Sequence, residues 1–428
     1  MLQRLIQLQK SQQNNISLAI NYLFIAYAFC LPMAFDTEKI ILKIIFILFL
    51  FSGELKEKLL FSLKNRIFQA MMTFLALYII WLYGSEHRDI GWWKIKIFAS
   101  YFFLFVIYIT SIREDFKEKI INAFILAIFT SEIISYTMFF GFHFSFIKYM
   151  GYGANVPFFY TYSQYVLLLS LSLGLVLYRL LTHTTHSKIQ TLLYSFFFLS
   201  SSINVFTINS KLGYVLYIVS IFTVILFLGK KYISRTKIFL LLATIMATYL
   251  LAFNYNKTFQ TKIDNISSQL SLAYHKNIFI GSTGERLGWD IYGMQVYMEH
   301  NPLVGVGTSD HIDLVAQRIK DLHLSTYKEK RLLMFLNKAL PGMSTLHNEY
   351  LDHLVQFGII GIFVLFYLFY TIYKAESVSP YFQLLKYLLL ANILLYSFVN
   401  YFFILPQLAK IFFFLIALTL PSFKPKEQ

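Results

Sequence analysis

Long runs of apolar residues, separated by short polar segments, dominate the hydropathy pattern of this chain. Many of these runs extend over roughly 18–22 residues, which is enough for an α-helix to cross a hydrocarbon core of about 30 Å. The pattern therefore predicts about twelve transmembrane helices, of which the second, eleventh and twelfth have the least defined boundaries. They centre on Ile16–Pro32, Ile40–Ser52, Ile67–Tyr83, Ile97–Ile112, Ile120–Phe140, Phe158–Leu181, Leu192–Ile208, Leu212–Leu228, Ile238–Phe253, His353–Tyr373, Leu384–Asn400 and Phe402–Leu420.

A long polar interruption between the ninth and tenth runs divides the chain into three parts. Residues 1–253 hold predicted helices one to nine, residues 254–352 form one large outer loop, and residues 353–428 hold helices ten to twelve and a tail. The predicted fold class is therefore an all-α polytopic membrane protein. Its one large loop lies between helices 9 and 10 and has helical segments of its own.

Composition agrees with a membrane protein. The chain has 428 residues, of which 57% are hydrophobic, 19% aromatic and 14% charged, and its mean hydropathy is +0.59. These values lie outside the range of ordinary soluble domains. The single cysteine, Cys30, excludes an intrachain disulfide and a cysteine-rich metal site.

The net charge of +15 does not indicate nucleic-acid binding, because the basic residues alternate with the predicted topology. Basic clusters fall on one side of the membrane, which the positive-inside rule assigns to the cytoplasm. Both termini are therefore expected in the cytoplasm and the large loop on the opposite, outer face. The clusters are Arg4 and Lys10; Lys56, Lys58, Lys64 and Arg66; Arg113, Lys117 and Lys119; Lys230, Lys231, Arg235 and Lys237; and Lys424 and Lys426.

The outer loop contains the segment GSTGERLGWDIYGMQVYMEHNP, which indicates one helix of about four turns with Ser282-x-x-Glu285 as its capping box. Arg286 falls in the first turn, where the helix dipole disfavours a cation unless an anion is bound there. Two interpretations stay open. Arg286 forms an ion pair with Asp290 one turn later, or it binds phosphate oxygens together with free backbone N–H groups.

Two histidines, His347 and His353, precede the tenth apolar run. On one helix they point roughly 120° apart, so they cannot bind a single metal ion together. His347 is then expected on the apolar stripe that faces the helical bundle, with Asn348, Asp352 and Gln356 on a polar face. An imidazole at that place, with an ordinary pKa of about 6.5, is suited to accept a proton. A structural, hydrogen-bonded histidine is the alternative.

A further cation, Lys211, lies in the motif NSKLGYV, within a very short outer turn between two predicted helices. A basic residue at that depth either extends its ammonium group to the membrane surface or lines a polar site. The sequence leaves both alternatives open.

Three segments together resemble the O-antigen ligase and O-antigen polymerase superfamily of bacterial envelope glycosyltransferases, and the twelve-helix plan extends the resemblance over essentially the whole chain. The resemblance implies transfer of a preassembled glycan from undecaprenyl pyrophosphate to a hydroxyl, on the periplasmic face of the inner membrane, without ATP, metal or other cofactor. In the ligase branch, which the single outer loop of moderate size favours, the acceptor is the lipid A-core. The segments are NSKLGYV, GERLGWDIYGMQVYMEHNPLVGVG and HNEYLDHLVQFGIIGIF.

Family members are similar in using two arginines for the pyrophosphate and a histidine near the acceptor. The resemblance implies that His347 is the catalytic base, that Arg286 acts in catalysis and in pyrophosphate binding, and that Lys211 binds pyrophosphate. Lys211 replaces the second arginine and keeps its charge but loses the bidentate fork. The sequence has no G-x-x-x-x-G-K-[ST] motif for ATP, in agreement with a driving force that arrives in the donor.

Four other functions stay open at this point. A polymerase would join repeat units on the same lipid carrier, and a protein oligosaccharyltransferase would glycosylate a serine or asparagine. A metal-dependent glycosyltransferase would use an acidic pair such as Asp36 and Glu38 in the first outer loop. A flippase or transporter of the lipid-linked glycan would show related halves and buried charges in several spans, whereas the polar groups here cluster at one end.

Overall fold

In a computed structural model, the described part of the chain is helical and contains no strand. The structure describes residues 2–33, 35–142, 156–158, 161–182, 187–208, 210–232, 257–321, 332–333 and 345–424, together with scattered positions between 236 and 255. The helices are α1 (Leu2–Cys30), α2 (Phe35–Phe51), α3 (Leu55–Lys64), α4 (Arg66–Leu82), α5 (Arg88–Ser111), α6 (Lys117–Phe139), α7 (Tyr162–Leu181), α8 (Lys188–Thr207), α9 (Lys211–Tyr232), α10 (Lys257–Lys276), α11 (Gly281–Glu299), α12 (His311–Lys320), α13 (Glu349–Lys374), α14 (Pro380–Tyr396) and α15 (Pro406–Thr419).

Six of the described helices, α5 to α9 and α13, are long and apolar enough to cross a membrane. The helices α3 and α4, which meet at a bend of 78°, give a seventh if they form one broken span. Of the other predicted spans, α2 and α14 have 17 residues each and α15 has 14, while α1 is longer but less apolar. The ninth predicted span, Ile238–Phe253, falls mostly outside the described residues. The chain is thus a multi-pass membrane protein with six to seven candidate spans among its described residues.

Helix α7 occupies the centre of the bundle. All of its residues from Ser163 to Tyr178 are buried, as expected for a helix that is apolar on every face. It begins where the Thr161 hydroxyl accepts a hydrogen bond from the Gln164 N–H, which satisfies one free donor of the first turn. It packs against α8, α9 and α14, so the N-terminal end of α9, with Lys211, is fixed by the core of the bundle.

The segments from α10 to the start of α13, called the outer segments after their predicted location, have a smaller core of their own. Trp289 of α11 and Val315 of α12 pack there with Leu346, and Leu351 and Val355 of α13 join the same cluster. Because α13 contributes to this cluster and to the membrane bundle, it connects the outer segments to the spanning helices.

Helix α13 is interrupted at Gly358, whose backbone is left-handed at φ 64° and ψ −157°. A helix break leaves N–H and C=O groups unpaired, and these need partners inside the protein when no water can reach them. The turn at residues 302–307 supplies the partners on both sides of the break. The bonds run from Val306 N to Val355 O (3.0 Å), from Gly307 N to Gln356 O (2.9 Å), from Ile359 N to Pro302 O (2.9 Å) and from Ile360 N to Leu303 O (3.3 Å).

Glycine permits this close approach of the backbone in both segments. Gly305 has φ 64°, and a Cβ there would lie 2.7 Å from the Gln356 carbonyl oxygen. At Gly358 a Cβ would lie 2.6 Å from the Pro302 carbonyl oxygen. The hydropathy pattern did not foresee the break at Gly358.

We expect Gly358→Ala to destabilise the protein, because it adds both backbone strain, worth about 1–3 kcal/mol, and a steric conflict with the 302–307 turn. The measurement is the melting temperature of the purified protein in detergent, which should fall for Gly358→Ala. Gly84→Ala is the matched control, since its Cβ would meet open space. Equal melting temperatures for Gly358→Ala and the wild type would contradict this account of the break.

Candidate active site

Arg286 lies on α11, but this helix begins differently from the prediction. Its N-cap is Ile280, which makes no side-chain capping bond, so the predicted capping box from Ser282 to Glu285 is wrong. The Thr283 N–H instead donates to the Gln269 side chain of α10 at 3.1 Å. One of the backbone donors expected to bind an anion is therefore already occupied, and α10 is tied to the start of α11.

The Arg286 guanidinium does not form an ion pair with Asp290, which was one of the two interpretations of the sequence. Its Nη2 donates to Asn400 Oδ1 at 3.4 Å, while Asp290 Oδ1 accepts from the Asn348 amide at 3.1 Å. Burial lowers the pKa of Arg286, and the phenol groups of Tyr162 and Tyr396 act in the opposite direction. An arginine stays charged in proteins, so this site holds a partly buried cation without an ion-paired partner among the described residues.

His347 lies before α13 rather than on it. Its φ of 55° is left-handed, and Asn348 is the N-cap, whose side chain accepts from the Leu351 N–H. The predicted position of His347 on an apolar stripe is thus wrong, and Asp352 and Gln356, predicted on a polar face, are buried. The reason is that the helix starts two residues after His347, so helical spacing does not apply to it.

Two aromatic rings hold the His347 imidazole between them. Trp289 stacks on it with ring centroids 4.9 Å apart and an interplanar angle of 18°. Tyr401, from the segment after α14, lies 5.1 Å away at 60°. The imidazole is therefore fixed in position by residues of α11 and of the 397–405 segment.

The pKa of His347 is lowered from 6.5 to about 4, first by burial and then by the charge of Arg286, while Asn400 and Asp352 act in the opposite direction. The imidazole is consequently neutral near pH 7 and has a lone pair that can take up a proton. Its buried Nδ1 atom has no well-oriented hydrogen bond to a described residue, although the Asn400 side chain lies near it.

Lys211 is the first residue of α9, and its Nζ donates to Thr283 Oγ1 at 2.9 Å. Its charge interacts with those of Arg286 and of Lys262 on α10. Arg286 in turn interacts with His347. The structure therefore brings Arg286 within electrostatic range of both Lys211 and His347, and it adds Lys262, which the sequence did not single out.

Two other residues considered from the sequence, His353 and Glu38, have structural partners. His353 is fully buried, with Nε2 3.2 Å from the Tyr78 hydroxyl and Nδ1 2.8 Å from the Glu349 carbonyl oxygen. Glu38, one of the acidic pair, accepts from Lys410 at 3.1 Å. Within the described ranges, no group of three or more histidine, cysteine or acidic side chains could hold a metal ion.

Residues 196–366 match the family model described as O-antigen ligase. The chain carries an O-antigen ligase domain. The domain includes Lys211, Arg286 and His347, whereas Asn400 and Tyr401 lie beyond the matched residues. A search of curated proteins finds no match. The resemblance of the sequence motifs to this superfamily is confirmed over the matched segment.

The contacts of the O-antigen ligase domain with Asn400 and Tyr401 were missed by sequence reasoning. Arg286 and Asn400 are 114 residues apart, and Asn400 lies at the junction of two predicted spans that carries no recognisable motif. Trp289 does lie within the motif GERLGWD, but the motif alone does not show that its ring packs on His347.

Removing the charge of Arg286 is expected to raise the pKa of His347, since that charge is one of the two causes of the lowered value. Diethyl pyrocarbonate modifies only the neutral imidazole. The pH midpoint for modification of His347, followed by peptide mass spectrometry, should therefore move upward in Arg286→Gln and stay in place in Arg286→Lys. The exposed His275 of the same samples is an internal reference. An unchanged midpoint in Arg286→Gln would show that the two groups are not coupled.

Proposed function

We propose that this protein transfers a preassembled glycan, the O-antigen, from undecaprenyl pyrophosphate to a hydroxyl of the lipid A-core. The reaction takes place on the periplasmic face of the inner membrane, with both termini of the chain in the cytoplasm. The distribution of basic residues supports this orientation, and the O-antigen ligase domain supports the class of reaction.

One observation carries the proposal. Arg286 interacts both with the neutral imidazole of His347 and with a second cation, Lys211, and neither cation forms an ion pair with a described residue. Buried cations without a counter-charge are costly and are expected where an anionic ligand completes the site. A lipid pyrophosphate has the charge to do so, and its polyprenyl chain suits a protein of membrane helices.

The two cations and His347 have different roles in the reaction. Arg286 and Lys211 stabilise the negative charge that develops on the pyrophosphate as its bond to the anomeric carbon breaks. Such fixed charges act more strongly in a partly dehydrated site than in water. His347 takes the proton from the acceptor hydroxyl as its oxygen bonds to the anomeric carbon, a role that typically accelerates a reaction by about 10² to 10⁴. Direct attack inverts the anomeric configuration.

Donor binding also strengthens the base. The charge of Arg286 lowers the pKa of His347 when no anion is present. A bound pyrophosphate cancels part of that charge, which stabilises the imidazolium that forms when His347 accepts a proton. The imidazole therefore becomes more basic in the complex that carries the donor.

His347→Ala is expected to lower glycan transfer by about 10² to 10⁴ while insertion and folding are retained, because the aromatic contacts of the ring are local. The purified variant is assayed in detergent with lipid-linked donor and lipid A-core acceptor, and the lipids of cells that carry only this variant are analysed. Full-length glycan should accumulate on its carrier. His275→Ala, an exposed histidine, is the matched control. Wild-type transfer by His347→Ala would refute the proposed base, and accumulation of single repeat units would indicate a polymerase.

Lys211→Arg is expected to keep transfer, since the charge remains, whereas Lys211→Ala should raise the KM for the donor by roughly tenfold or more through loss of a charged hydrogen bond. Lys276→Ala, at the exposed end of α10, is the control. A normal donor KM in Lys211→Ala would mean that Lys211 only contacts Thr283 and the membrane surface.

A further inference from the structure

The conformation of His347 is strained. A residue with a Cβ at φ 55° costs about 1–3 kcal/mol relative to ordinary backbone, and such strain persists only when neighbouring contacts hold it. Asn348, on one side, is held by its hydrogen bonds to Asp290 and to the Leu351 N–H. Leu346, on the other side, is completely buried and is held by a different group.

That group is the carboxylate of Asp352, on which three donors converge. Its Oδ1 accepts from the Leu346 N–H at 3.2 Å and from His311 Nε2 at 2.8 Å. Its Oδ2 accepts from Gln356 Nε2 at 2.7 Å. Asp352 and His311 are both buried. Since the carboxylate only accepts, the proton in the bond between the two side chains belongs to His311 Nε2.

His311 connects this carboxylate to the outer segments. It is the first residue of α12, and the preceding Ser309 N–H donates to Gln356 Oε1 at 3.0 Å. Asp352 therefore receives hydrogen bonds from α12, from its own helix α13 and from the backbone next to His347. The carboxylate of Asp352 has two acceptor oxygens for these donors, whereas the side-chain amide of an asparagine has only one.

We propose that Asp352 and His311 are positioning residues for His347. They fix the Leu346 N–H and thereby hold His347 in its left-handed conformation between Trp289 and Tyr401. The inference rests on the proposed function, in which His347 is the base. Neither residue contacts Arg286 or Lys211 through a hydrogen bond, so the donor contacts are separate from this arrangement.

The test is a double-mutant cycle between Asp352→Asn and His347→Ala, with transfer measured per folded protein. Asp352→Asn should lower kcat at least tenfold and leave the donor KM unchanged, because Arg286 and Lys211 are untouched. In the His347→Ala background, Asp352→Asn should not lower the remaining transfer any further. This comparison is made both without and with added free imidazole. Asp321→Asn, an exposed aspartate at the end of α12, is the control.

Two outcomes would overturn the inference while leaving the proposed function intact: a wild-type kcat in Asp352→Asn, or a raised donor KM at unchanged kcat. An equal loss of transfer in both backgrounds would also overturn it, because the role would then be general stability. Wild-type transfer by His347→Ala refutes the role of His347 as the base and the inference with it, whereas absence of transfer by the wild-type protein refutes the proposed function itself.

If Asp352→Asn does not fold, His311 supplies the same test. His311→Gln keeps a side-chain N–H donor of similar reach and should retain kcat within a few-fold, whereas His311→Leu should lower it as Asp352→Asn does. Equal kcat values for His311→Gln and His311→Leu would contradict the positioning role.

Discussion

The backbone hydrogen bonds across the break in α13 are the constraint on which the rest of this structure depends. A helix in the membrane satisfies its own polar groups, so an interruption requires outside partners. Here the 302–307 turn supplies them on both sides of Gly358. This pairing fixes the outer segments against the bundle and brings the start of α13, with His347 just before it, beside α11. The geometry of the candidate site follows from where that turn is bound.

The polar groups around the site divide between two tasks. Asp352, Gln356 and His311 are buried and bond to one another or to backbone, although His311 Nδ1 has no hydrogen-bond partner among the described residues. Arg286, Lys211 and the Nδ1 atom of His347 have few or weak partners among the described residues. Satisfied buried groups make a network rigid, and unsatisfied ones retain interaction energy for a ligand. The first set therefore supports the site, and the second set is available to bind a substrate.

Part of this could be predicted from the sequence. Of the twelve spans predicted by hydropathy, six to seven are long and apolar enough to cross a membrane among the described residues, and the motifs around Lys211, Arg286 and His347 identified a domain that the family match confirms. Hydropathy does not separate a spanning helix from a short one buried in a bundle, and α15, with 14 residues, is such a helix. The left-handed conformation of His347 was not predictable, because Trp289 and Tyr401, whose rings lie against the imidazole, come from distant parts of the chain. Pairs such as Arg286 and Asn400 carry no local signal, since only the tertiary fold brings them together.

Gly305 and Gly358 lie on different parts of the chain but form one unit in space, because each leaves room for the backbone of the other segment. For protein engineering, this means that the outer segments are not an independent module. A chimera that transplants residues 302–307 into another helical bundle would also have to carry the interrupted helix, and a regular recipient helix would offer no exposed carbonyl groups to receive the turn.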